Sequence, residues 1–149
     1  MTLSLICPVC SAPLNQHQAS AGFYCDNKHH FDKHPNGYWP LLSNVKGKSK
    51  PQVESRQQMR GRHFLLETGL FAPLIKQLQA VLLDLCASNS DAELQHIDYQ
   101  CADGYYLRQL VPALVEAKVS CQHWGITDAE NAIFAAAKSE TPANLLLLA

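Results

Sequence analysis

Cys7-Pro-Val-Cys10-Ser-Ala-Pro-Leu-Asn-Gln-His-Gln-Ala-Ser-Ala-Gly-Phe-Tyr-Cys25-Asp-Asn-Lys-His29 decides how the first third of the chain folds. A tetrahedral Zn²⁺ needs four soft or borderline donors, and two short clips separated by a reversing loop bring them to one point. Cys7 and Cys10 form the first clip, and Cys25 and His29 form the second. The loop between them carries Pro13, Asn15 and Gly22, so it can turn back without a long regular element. Buried thiols acting as small hydrophobes are the alternative. A proline inside the first pair and a polar, turn-rich setting around the second favour ligands instead. His30 and His34 lie close by, but the Cys-x-x-x-His interval selects His29 over His30 as the fourth donor. Four protein ligands close the coordination sphere, which gives the ion a structural role and leaves no position for activated water.

The chain has 149 residues, 47% of them apolar, and a net charge of −1, which fits one or two compact units and neither a disordered nor a membrane-spanning protein. The opening Met-Thr-Leu-Ser-Leu-Ile-Cys is too short and uncharged for a signal peptide, and no apolar run approaches the length of a membrane span. A cytoplasmic location follows as the expectation. In that reducing compartment Cys86, Cys101 and Cys121, scattered singly, are not a disulfide framework.

Charge divides the chain. Residues 1–62 hold eight Lys/Arg against three acids, and residues 63–149 hold four against ten. A basic zinc module with Phe31, Tyr38 and Trp39 beside its histidines suits RNA, because cations neutralise phosphates and aromatic faces stack on unpaired bases. A solvated basic linker around a small aromatic core is the competing reading, since six of the bases fall between residues 46 and 62.

Working outward, residues 1–43 read as the zinc module, 44–90 as a basic linker and helical connector, and 91–149 as an α/β unit. Pro51 to Glu67 favours a helix, with Gly69 as its stop. Phe71, Leu74, Ile75, Leu78, Val81, Leu82 and Leu85 recur at helical spacing and predict a second helix with one broad buried face. The remainder alternates: strand 94–101, helix 104–118, strand 119–126, helix 128–138, strand 144–148. Such alternation implies a parallel sheet of about three strands, with ligand sites beyond the strands' carboxyl ends, after Cys101 and Ile126.

Cys7-x-x-Cys10 with Pro13-Leu14, Cys25-x-x-x-His29-x-Phe31-Asp32, and Gly37-Tyr38 with Leu41-Leu42 resemble the amino-terminal zinc module of bacterial large-subunit rRNA guanine-N1 methyltransferases. Met59 to Pro73 is similar to their helical connector, and Asp98-Tyr-Gln-Cys-Ala-Asp-Gly-Tyr-Tyr106 occupies the place of their glycine-rich cofactor loop. The resemblance implies the first half of a Rossmann-like class I methyltransferase domain. It further implies methyl transfer from S-adenosylmethionine to a guanine in rRNA, with cofactor contacts from Asp98, Cys101, Gly104, Tyr105 and Asp128. It designates no catalytic base.

The sequence departs from that pattern at Gln100 and Ala102, which stand where two motif glycines belong, and Gly104 alone is kept. Glycines there let the backbone turn sharply and approach the cofactor. Thr127 stands where a ribose-binding acid is expected, with Asp128 next to it; Thr127-x-x-Glu130 also reads as a capping box. A sheet ending after three strands would leave its first strand at an edge, open to a second copy or a partner chain. The expectation is therefore a chain not catalytically competent alone. The alternative is a zinc-stabilised RNA-binding or dimerising module with a non-functional cofactor domain.

Overall fold

The computed structural model describes residues 3–42, 54–89 and 94–148; the linker expected at 44–50 lies outside them, and the helix expected from Pro51 begins instead at Arg56, after the Ser55 cap. Three two-residue strands, β1 (Asn15–Gln16), β2 (Phe23–Tyr24) and β3 (His30–Phe31), form an antiparallel sheet in the order β1-β2-β3. β4 (Tyr38–Leu41) follows, then α1 (Arg56–Glu67), α2 (Ala72–Ala87), β5 (Leu94–Tyr99), α3 (Tyr105–Glu116), β6 (Cys121–Thr127), α4 (Glu130–Lys138) and β7 (Asn144–Leu148).

The parallel sheet has four strands, in the order β4-β7-β6-β5. The expected count of three is therefore corrected: the fourth strand comes from the segment read as the end of the zinc module. β4 pairs in parallel with β7 from Tyr38 opposite Leu145 to Leu41 opposite Leu148. Pro40, which has no N–H to give a ladder, is accommodated because β4 lies at the sheet's edge. β5 forms the opposite edge and pairs only with β6 among the described residues.

Side chains alternate across this sheet with the strand period of two. Tyr38, Leu145 and Leu147 face α3 and α4 and share a core with Leu107, Val111, Ile133 and Ala136. Trp39, Leu41, Trp124, Ile126 and Leu146 join a second core with Cys7, Phe23, Cys25 and Phe31 of the zinc module. The module thus covers the sheet face that the helices leave open. Trp39 meets Phe23 edge-on with ring centroids 5.5 Å apart, and its indole Nε1–H donates to the Ala21 carbonyl at 2.7 Å.

The helices begin and end where local chemistry directs. Ser55 caps α1, accepting from the Gln58 N–H while the Gln58 side chain accepts from the Ser55 N–H, a reciprocal capping box. The capping box expected at Thr127 and Glu130 does not form. β6 runs through Thr127, α4 is capped by the backbone of Ala129, and the Thr127 hydroxyl accepts from the Ala129 N–H at 3.2 Å. The apolar face of α2 is also only partly covered. Ile75 is buried against Leu66, Tyr105 and Leu110, whereas Leu74, Val81 and Leu85 are exposed. Among the described residues no single helix is long and apolar enough to cross a membrane.

Candidate metal centre and cofactor loop

Each zinc clip is a tight turn. In the first, the Ser11 N–H donates to the Cys7 carbonyl and the Cys7 N–H to the Ala12 carbonyl, with Ser11 in the left-handed region at φ 59°. In the second, the Lys28 N–H donates to the Cys25 carbonyl and the Cys25 N–H to the His29 carbonyl, with Lys28 at φ 65°. The turns aim Cys7, Cys10, Cys25 and His29 at one point, their donor atoms all within 4.8 Å of one another.

The separations fit a zinc ion. Tetrahedral zinc with Zn–S about 2.3 Å and Zn–N about 2.0–2.1 Å places its donors about 3.6 to 3.8 Å apart. Cys10 Sγ lies 3.7 Å from Cys25 Sγ, and His29 Nδ1 lies 3.6 Å from Cys7 Sγ and 3.4 Å from Cys25 Sγ. His30 does not join them; it is exposed on β3 and stacks on Tyr24. His34 stacks on Tyr38 at 4.5 Å. The Asn27 side chain beside Cys10 holds its thiol well below the ordinary range, at about 6, while burial pushes Cys25 up. Zinc would hold both as thiolates, and a closed site of this kind contributes directly to folding.

The β5–α3 loop lies at the carboxyl ends of β5 and β6. Gln100 has φ 60°, Ala102 has φ 50° and Gly104 has φ 76°, so all three motif positions take the left-handed conformation, two of them with side chains. At position 104 glycine is also sterically required, because an added Cβ would lie 2.5 Å from Thr141 Oγ1. The Cys101 N–H anchors the loop to the Ile126 carbonyl at 2.9 Å. Burial and the nearby Asp98 charge push the Cys101 thiol to about 12, leaving it inert.

Asp98, the last inward-facing residue of β5, carries a buried Oδ2 with no hydrogen-bond partner among the described residues, and burial raises its carboxyl to about 6. Tyr105 is buried with Leu66, Ile75 and Leu110, between the helices, and Asp128 is exposed just after β6. The sequence reading missed Asp103, whose Oδ2 lies 2.9 Å from His63 Nδ1 on α1 and 4.0 Å from the Arg108 guanidinium. Arg108 also donates to the Asp103 carbonyl. Nothing in residue spacing signals that contact, since it joins positions 40 apart.

Residues 5–50 match the family model of a zinc ribbon described as the amino-terminal part of RlmA, a model that belongs to the rRNA methyltransferases. No curated protein matches the chain.

Proposed function

We propose that this chain is an rRNA guanine-N1 methyltransferase-like protein whose zinc ribbon recognises large-subunit rRNA and whose β5–α3 loop derives from an S-adenosylmethionine site, the chain alone not being a competent catalyst. The match of residues 5–50 to the RlmA zinc ribbon, together with the Cys₃His geometry inside it, carries the reading. S-adenosylmethionine would supply the methyl group. The chain's residues would hold it by the loop backbone at 100–104, with Asp98 and Asp128 at the ends of neighbouring strands. Ring-nitrogen methylation relies largely on positioning the acceptor, which agrees with the lack of an obvious base.

Gln100 and Ala102 favour the second reading for the loop, a scaffold that has lost cofactor affinity. A residue held in the left-handed region with a side chain is strained by about 1–2 kcal/mol, and the side chain occupies space a glycine leaves open. The outer edge of β5, which carries exposed Ile97 and Tyr99, is where a second copy or a partner chain would add a strand.

A paired titration tests the reading. Large-subunit rRNA fragments should bind the zinc-loaded chain with an affinity that falls steeply with salt. S-adenosylmethionine should give no calorimetric heat with the natural sequence, and measurable heat once Gln100→Gly and Ala102→Gly are combined. Absence of RNA binding refutes the recognition role, and methyl transfer by the unmodified chain refutes its incompetence.

A further inference from the structure

Between the zinc module and the sheet lies a cleft of about 420 Å³, within the size range of small-ligand sites. Asn15 and Gln16 of β1, Phe23 of β2, Gln122 and Trp124 of β6, and Asn144 at the start of β7 line it, with leucines from the first fourteen residues. The strand period puts Gln122, Trp124 and Asn144 on one sheet face, and Trp124 stands directly opposite Asn144 in the ladder. Four carboxamides from two separate sheets thus meet around two aromatic rings. Among the described residues no charged one lines the cleft.

Trp124 is 9% exposed, and its indole Nε1–H has no hydrogen-bond partner among the described residues. Leaving a buried donor unmade is costly, and the tryptophan that lines the cleft carries one. An uncharged lining does not suit a phosphate or a metal ion. Carboxamides, each both donor and acceptor, match the hydrogen-bonding edge of a planar heterocycle, and aromatic walls match its faces.

We infer that this cleft holds one unpaired nucleobase of an RNA strand, the base edge read by Asn15, Gln122 and Asn144. The inference rests on the RNA-recognition reading and deepens it, by separating base contacts in the cleft from phosphate contacts to lysines and arginines elsewhere. Gln16 is already engaged, its side-chain amide donating to the Ala21 carbonyl at 3.3 Å, and so braces the cleft wall.

The test is a nuclear magnetic resonance titration of the ¹⁵N-labelled, zinc-loaded full chain with a short single-stranded oligoribonucleotide, and separately with an abasic strand of equal length. The Trp124 indole and the Gln122 and Asn144 carboxamide signals should shift saturably with the first and stay still with the second. Gln122→Ala and Asn15→Ala, at exposed positions that the fold does not need, should each weaken binding several-fold. Equal shifts with the abasic strand overturn the inference. So does RNA binding that moves only signals outside the cleft, although recognition by the module then stands. No response to any RNA defeats both.

Discussion

The Trp39 indole and the Ala21 carbonyl, 2.7 Å apart, fasten the edge strand of the parallel sheet to the loop between the two zinc clips. Cys7 and Cys25 lie in the same buried cluster as Trp124, Ile126 and Leu146, so these two candidate metal ligands are part of the sheet's own core. Structural zinc contributes on the order of 10 kcal/mol or more to folding, comparable to the entire stability of an ordinary domain. Stripping the metal with a chelator should therefore abolish the near-ultraviolet dichroism of Trp39 and Trp124 together. Loss of order confined to the first 42 residues, followed by hydrogen exchange, would show instead that the sheet stands without the module.

Strain at the β5–α3 loop yields a stability prediction. Gln100 and Ala102 hold φ values of 60° and 50°. Glycine relieves about 1–2 kcal/mol of left-handed strain at each and gives back about 0.4–1 kcal/mol through the freer unfolded chain. Gln100→Gly and Ala102→Gly should each stabilise the protein by about 0.5–1 kcal/mol in urea denaturation. Gly104→Ala should destabilise it by well over 1 kcal/mol, since it meets both a positive φ and Thr141. Destabilisation by the first two substitutions would contradict the loop conformation.

Asp98 sets a pH dependence. Its carboxyl titrates near 3.8 when unfolded and about 6 when folded, because burial disfavours the charge. The folded state therefore binds the proton more tightly. This contribution is fully present below about pH 4 and is lost as pH rises through 6. Asp98→Asn should match the natural protein in stability near pH 4 and exceed it above pH 7 by roughly 1 kcal/mol, a figure discounted for the partial exposure of the site. Both variants share the metal centre, so its acid sensitivity cancels in the difference. A stability difference independent of pH would contradict the burial of an unpaired carboxylate.

The β5 edge should be adhesive. Ile97 is 44% exposed and Tyr99 72% exposed on the strand that ends the sheet order β4-β7-β6-β5. Sedimentation should detect concentration-dependent association of the natural chain, and Ile97→Lys should weaken it by placing a charge on the edge. Unchanged association in that variant would assign the contact to another surface, the exposed Leu74, Val81 and Leu85 of α2 being the first to examine.

The parts legible in the sequence are those fixed by local chemistry. The spacing of Cys7, Cys10, Cys25 and His29 encodes the convergence of four donors, and the turn residues and strand-helix alternation locate every element from β5 to β7. What stayed hidden depends on long-range pairing. Tyr38-Trp-Pro-Leu41 is short and contains a proline, so nothing in it announces a parallel strand; only its partner, the Leu145–Leu148 run, makes it one. Thr127 fits a capping box in isolation, yet the β6 ladder extends through it and takes it into the sheet. The α2 stripe has helical spacing, but periodicity cannot tell how much neighbouring surface exists to cover it. The cleft lined by Asn15, Gln122 and Asn144 was invisible for the same reason, since its walls come from opposite ends of the chain.

The most direct measurement is the metal content of the purified protein, read by elemental analysis alongside zinc-edge X-ray absorption. One zinc per chain, bound by three sulfurs and one nitrogen, with loss of both metal and fold in Cys25→Ser, is the predicted result. Protein that is folded without stoichiometric zinc, or a Cys25→Ser variant with its metal and thermal transition intact, would contradict the account.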